Sequence, residues 1–162
     1  MDDEFEYIKS LKTRELIEII ENIWGFEETS AALFELMERD ENKTVELGID
    51  ILENDKGDDY LQGIVFIFIY YINPKATIES LYRRKTDIGP VLLGDVMSGI
   101  SIEYYREEQP EFLEGLSNYL LMRYMQLDVN EKEKIAEKYN EFKDTLKNKA
   151  NFHSKYFIDD NE

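Results

Sequence analysis

A continuous apolar segment at residues 63–72 constrains the fold of this chain more than any other feature. Its sequence is GIVFIFIYYI, and it lies between the acids Asp58 and Asp59 and an Asn-Pro pair at Asn73. Ten residues are about half of the length that a helix needs to cross a bilayer. We therefore expect no membrane span, and we expect the segment to be buried as a strand or as a helix.

The choice between strand and helix depends on the neighbours of this segment. Its Val, Ile, Phe and Tyr residues favour a strand, and Gly63 costs a helix about 1 kcal/mol relative to alanine. No second strand of similar quality is visible, however, and a lone strand has no partner for its backbone. Helical periodicity occurs on both sides, so we predict that residues 63–72 form a helix that other helices surround.

Apolar residues recur at helical spacing along most of the remaining chain. Asn73 and Gln109 mark two predicted helix starts, because each precedes a proline and proline suits the first turn. Asn130 with Glu133 has the spacing of a capping box and predicts another start. The pattern predicts an all-α fold, with about eight helices in a compact, irregular stack of antiparallel helical hairpins.

The length of 162 residues suits one domain that can bury a substantial core. We predict a single helical domain over residues 1–162, in which residues 150–162 are a partly ordered acidic C-terminal tail. Within the predicted helices, glycine indicates that another helix approaches closely, since glycine otherwise destabilises a helix. Four glycines have this position: Gly48, Gly63, Gly94 and Gly115.

The charge of the chain is strongly negative and unevenly distributed. Asp and Glu number 36 against 19 Lys and Arg, which gives a formal net charge of -17. Residues 1–73 hold 19 of the acids but only six of the bases. Such a surface repels nucleic acid and anionic membranes and attracts basic partners. An acidic surface also keeps many cytosolic proteins soluble, so charge alone does not establish a binding function.

Cysteine content and the first residues bear on the compartment. The chain has no cysteine, which is compatible with a reducing environment. The sequence MDDEFEYIKS contains neither the basic region nor the apolar run of a secretory signal. We therefore expect the protein in the cytoplasm.

The sequence contains no catalytic signature that we recognise. His153 is the only histidine, and it has neither a second histidine nor a cysteine with which to share a metal. No phosphate-binding glycine loop, dinucleotide fingerprint or EF-hand spacing occurs. We predict that the protein is not an enzyme and that it uses no metal and no cofactor.

Two groups of acids and tyrosines at predicted helix ends are candidates for partner binding. Tyrosine supplies a large contact area with few rotatable bonds, and its hydroxyl forms hydrogen bonds. One group lies at the start of the apolar helix, and the other lies in the run EYYREEQP. The predicted partner-binding residues are Asp58, Asp59, Tyr60, Glu103, Tyr104, Tyr105, Glu107 and Glu108.

Residues 43–82 resemble a helical hairpin of the HEAT type. They contain an acid-rich helix with the sequence VELGI, the polar turn NDKGDDYL, the apolar helix and the Asn-Pro stop. FLEGL at Phe112 and QPEFL at Gln109 repeat parts of this pattern, so residues 83–149 resemble it more loosely, and residues 1–42 depart from it. Small acidic HEAT-like proteins without enzymatic motifs are similar to bacterial immunity proteins of polymorphic or contact-dependent toxin systems.

This resemblance implies a function in binding rather than in catalysis. An immunity protein binds one cognate toxin domain in a one-to-one complex and occludes its active site, and the toxin domain is often a basic nuclease. Two alternatives remain open at this point. The protein could be a helical adaptor or scaffold for another basic protein, or an acidic mimic of nucleic acid that competes for a DNA-binding protein.

Overall fold

The structure is a computed structural model that describes residues 5–105 and 113–156. The described residues form ten α-helices and one 3₁₀ turn at Ile102–Tyr105, and they contain no strand. The predicted all-α class is confirmed. The helices are α1 (Glu6–Ser10), α2 (Thr13–Asn22), α3 (Phe26–Arg39), α4 (Glu41–Glu53), α5 (Asp59–Ile72), α6 (Pro74–Arg83), α7 (Pro90–Ser101), α8 (Leu113–Gln126), α9 (Val129–Lys134) and α10 (Ala136–Tyr156).

The number of helices exceeds the predicted eight for two local reasons. Helix α1 has five residues, too few to show a period in the sequence. A break at Ile135 divides the last predicted helix into α9 and α10. The predicted boundary of the acidic tail at residue 150 falls inside α10, and residues 157–162 lie outside the described residues.

Side-chain caps set the starts of several helices. Asn73 Oδ1 accepts a hydrogen bond of 3.1 Å from the backbone N–H of Ala76, and Pro74 is the first residue of α6, as predicted. The predicted start at Gln109 lies outside the described residues. The other sequence-predicted cap requires a correction.

The capping box predicted at Asn130 and Glu133 is wrong. The box is formed by Asp128 and Glu131, and each side chain accepts a hydrogen bond of 2.9 Å from the backbone N–H of the other residue. The sequence DVNEKE contains two overlapping patterns with the same spacing, and both satisfy the rule. The earlier pattern forms the box, so Asn130 lies within the first turn of α9.

The apolar segment 63–72 is helical, as predicted, and lies within α5. Helices α3, α4, α6 and α7 all pack on α5, and the side chains of Leu61, Val65, Phe66 and Ile69 are buried there. Burial of each such side chain contributes about 1.5–3 kcal/mol, which outweighs the low helix propensity of β-branched residues. None of the described helices combines the length and apolar character that a membrane span requires.

Contacts between helices that are not consecutive arrange the chain in two layers. Helices α4 and α6 are neighbours in one layer. In the other layer, α5 lies between α3 and α7, and α10 packs on α7. Helices α5 and α7 run in the same direction, because Asp59 bonds to Val91 near their first residues and the Phe66 ring lies against Gly99 farther along. This stack of antiparallel hairpins confirms the predicted arrangement.

Three of the four glycines that the sequence placed at close helix contacts do lie where helices approach each other closely. A Cβ atom at Gly48 would overlap the Ile69 side chain of α5, one at Gly63 would overlap α7, and one at Gly94 would overlap α10. The expectation for Gly115 is wrong. That residue is exposed, and the nearest described side-chain atom would lie 3.7 Å from an added Cβ, which leaves room for a methyl group.

Candidate functional site

The outward side of α5 is apolar along its length. Tyr60, Ile64, Ile67 and Tyr71 are separated by four, three and four residues, so they lie on one side of the helix. Tyr60, Ile67 and Tyr71 are 60%, 46% and 87% exposed, respectively. Because α3 and α7 flank α5, these four residues occupy the middle of the layer's outer surface. We call them the α5 stripe.

Helix α3 extends this apolar surface to one side. Phe26 and Phe34 are exposed, and the centroid of the Phe34 ring lies 6.0 Å from that of Phe68 on α5. Between these two helices and α1 lies a groove with a volume of about 580 Å³, which we call the α3 groove. Its lining residues are Phe5, Glu6, Ile8, Lys9, Phe26, Glu27, Ser30, Ala31, Phe34, Glu35, Ile64 and Phe68.

Charged side chains at the edges of this outer surface are mostly acidic. Glu27 and Glu28 lie in the first turn of α3, where the helix dipole also favours them. On the α7 side, Asp95 Oδ1 lies 2.5 Å from the Lys138 ammonium of α10. This base is thus already paired with an acid of the same surface. The unpaired negative charge of the described part of this outer surface therefore lies at its α3 edge, on Glu27 and Glu28.

The first predicted group of binding residues is divided in its roles. Asp58 Oδ1 accepts a hydrogen bond of 2.8 Å from the backbone N–H of Leu61 and so caps α5. Asp59 caps α7 instead, because its carboxylate accepts bonds of 2.6 and 3.0 Å from the N–H groups of Val91 and Leu92. Tyr60 makes no comparable bond among the described residues and belongs to the exposed α5 stripe. Asp58 is also exposed.

The second predicted group lies partly in the interior. Glu103 and Tyr104 are 3% and 8% exposed, and the Tyr104 hydroxyl lies within hydrogen-bond range of the Leu113 carbonyl oxygen and the Ser117 hydroxyl. The 3₁₀ turn after α7 points both side chains inward. Tyr105 ends this turn, and its side chain lies outside the described part, as do Glu107 and Glu108.

The structure does not bring the described residues of the two predicted groups together. The first group lies beside the start of α7, and the second follows its end. The 12 residues of α7 span about 18 Å. The first group shares Tyr60 with the α5 stripe, whereas the other three residues of the stripe and the α3 groove were not singled out by the sequence.

A nearly buried arginine fixes the loop between α4 and α5. The Arg84 guanidinium donates hydrogen bonds of 2.9 Å to the Leu52 carbonyl oxygen and to Gln62 Oε1, and it also pairs with Asp55. The Gln62 side chain donates to the Asp55 carboxylate at 3.0 Å. This bond, with those from Thr86 and Arg84, holds the pKa of Asp55 below its usual value. The start of α5 is therefore held in a defined position.

The described residues of this surface offer apolar contact and negative charge. No group of three His, Asp or Glu side chains within residues 5–105 and 113–156 is placed to hold a metal ion. Comparisons with models of protein families, with curated proteins and with solved structures gave no match.

Proposed function

We propose that this protein is an immunity protein of a bacterial toxin system. It binds one basic toxin domain, a nuclease in the simplest case, and occludes the active site of that domain in a one-to-one complex. It acts in the cytoplasm and performs no catalysis. The observation that carries this proposal is the exposed α5 stripe, which lies in the middle of one surface of a strongly acidic protein.

The α5 stripe has the properties of an interface centre. Contiguous exposed apolar surface is uncommon on soluble proteins and marks sites of interaction. Tyrosine is enriched among the residues that contribute most to binding, and the stripe holds Tyr60 and Tyr71 at its two ends. The opposite side of α5 is buried against four helices, so the stripe is rigid before a partner arrives. Rigidity of this kind lowers the entropic cost of binding.

The negative charge indicates what kind of partner binds. A net charge of -17 accelerates encounters with basic proteins and slows encounters with acidic ones. Domains that bind or cleave nucleic acid are basic because they must neutralise phosphates. A protein with an acidic surface around an apolar centre can therefore compete with nucleic acid for the substrate-binding surface of a nuclease.

Mimicry of nucleic acid receives less support from the contacts. On the α4 and α6 layer, many acids are paired with bases of this chain rather than left to imitate phosphates. Glu46 Oε1 lies 2.7 Å from Lys43 Nζ, and Glu53 Oε2 lies 2.9 Å from Arg83 Nε. An adaptor for a different basic protein would use the same α5 stripe, so only a functional test separates it from an immunity protein.

The test uses the protein encoded beside this chain, if its C-terminal domain is basic and toxic. That domain is expressed in bacteria with and without this protein, growth is measured, and the purified mixture is analysed by light scattering after size exclusion. The proposal expects restored growth and a one-to-one complex. A complex without restored growth would indicate an adaptor, and the absence of both would refute the proposal.

A further inference from the structure

The α3 groove has the size and the wall arrangement of a helix-binding site. Along α3 it extends from Phe26 to Glu35, which corresponds to about 14 Å, or about nine residues of a second helix. Helix α1 is held beside α3 by Arg39, whose guanidinium donates bonds of 2.7 and 2.9 Å to the carbonyl oxygens of Leu11 and Lys9. The groove is thus an established feature of the fold.

The backbone around the groove determines the secondary structure of the occupant. The two long walls, α3 and α5, are helices, so beyond the first turn of α3 their backbone N–H and C=O groups are used within the helices and are not offered to a ligand. An extended segment would bury its own N–H and C=O groups here without partners, which costs about 1–3 kcal/mol for each group. A helix satisfies these groups internally and presents apolar side chains at spacings of three and four residues.

The charges at the groove determine the polar residues of the occupant. Glu27 lies near one end of the α3 wall. Glu35 lies near the other end, where its carboxylate is already paired with the Arg39 guanidinium at 2.6 Å. Glu6 belongs to the α1 wall. Lys9 is the single base among the lining residues, and its Nζ atom lies 3.7 Å from Glu6 Oε1.

From this geometry we infer that the α3 groove binds an amphipathic helix of the partner protein. The helix places two or three large apolar side chains against Phe34 and Phe68, and it carries Lys or Arg at the end that lies beside Glu27. This inference rests on the proposed function, because it names the part of the toxin domain that the immunity protein holds. The α5 stripe adjoins the groove through Ile64, so one partner can cover both.

Three synthetic peptides of equal length test the inference. The first is an amphipathic helix with leucines at positions i, i+4 and i+7 and lysines at one end. The second replaces these lysines with glutamates, and the third has the composition of the first in an order without helical periodicity. Binding is followed by amide chemical shifts of the intact protein. We expect the first peptide to bind at least tenfold more tightly than the others, with shifts confined to the groove residues.

Matched variants locate the site. Phe34→Ser removes an exposed ring, and Ser30→Gln fills the floor of the groove if the first variant does not fold. We expect each to weaken binding of the first peptide at least tenfold, whereas Met122→Ser on α8, a more exposed apolar residue outside the groove, changes binding less than twofold. Equal binding of all three peptides, or shifts outside the groove, would overturn the inference. A dimer of the free protein that Phe34→Ser dissociates would overturn it too, because a second copy would then fill the groove.

The growth assay separates this inference from the proposed function. If wild-type protein protects cells and Phe34→Ser protects them equally, the groove inference fails and the proposed function stands. If wild-type protein does not protect cells from the neighbouring toxin, the proposed function fails regardless of the peptide result.

Discussion

The carboxylate of Asp59, the first residue of α5, caps α7 by accepting a hydrogen bond of 2.6 Å from the backbone N–H of Val91. A second bond from the next N–H group completes a cap that joins two neighbouring helices of one layer. These are charge-assisted bonds to groups that otherwise lack a partner at a helix start. The same contact fixes the end of the α5 stripe that begins at Tyr60.

We predict that Asp59→Ala lowers the free energy of unfolding by about 2 kcal/mol, because two N–H groups of α7 lose their acceptor. Urea denaturation measures the loss. Asp144→Ala is the matched control, since that carboxylate is exposed and lies 3.7 Å from Lys147, and it should change stability by less than about 0.5 kcal/mol. Equal effects of the two substitutions would show that Asp59 does not stabilise α7.

The close contact between α4 and α5 gives a second prediction. Gly48→Ala places a Cβ atom 2.5 Å from Ile69 Cγ2, so the two helices must separate, and we expect a loss of about 1–3 kcal/mol in unfolding free energy. Gly115→Ala adds the same methyl group to an exposed helical position. It should stabilise the protein by about 0.5–1 kcal/mol, since alanine favours the helix. We expect the two substitutions to change the free energy of unfolding, measured by urea denaturation, in opposite directions. An increase in stability from Gly48→Ala would contradict the close packing of α4 on α5.

The network around Asp55 gives a prediction about pH. The pKa of Asp55 is lower in the folded protein than its usual value of 3.8, chiefly because of the bond from Gln62. Ionised Asp55 therefore stabilises the fold at pH values above 3.8, and this stabilisation is lost as the pH falls through the pKa that Asp55 has in the folded protein. We expect wild type to exceed Asp55→Asn in unfolding free energy at neutral pH, and the difference to shrink below pH 3.8. A difference that stayed constant or grew in acid would refute this role.

The sequence predicts the class and the central helix correctly for a physical reason. Residues 63–72 have no partner strand elsewhere, so burial among helices was the remaining way to remove them from water. The same composition hides the α5 stripe. Because nearly every residue of this segment is apolar, no polar side marks Ile67 and Tyr71 as outward. Which side faces solvent depends on α3 and α7, and local sequence does not specify it.

Long-range contacts explain why the structure modifies the expectations for the acids at helix ends. Acids at helix ends are ordinarily solvated, but Asp59 bonds to α7, 32 residues later, and Glu103 is turned inward by the 3₁₀ segment. The α3 groove exists because Arg39 bonds to carbonyl oxygens 28 and 30 residues earlier. Spacing rules describe neighbours along one helix, so they contain no information about such pairs.

The central claim is that the α5 stripe holds the partner, and a double substitution tests it most directly. Ile67→Lys with Tyr71→Lys places two charges in the stripe, while Met122→Lys with Met125→Lys makes the same charge change at exposed apolar residues of α8. Growth of cells that express the neighbouring toxin is measured with each variant, after thermal unfolding has shown that both are folded. The account predicts that the stripe variant loses protection and that the α8 variant retains it. Full protection by the stripe variant would contradict the account.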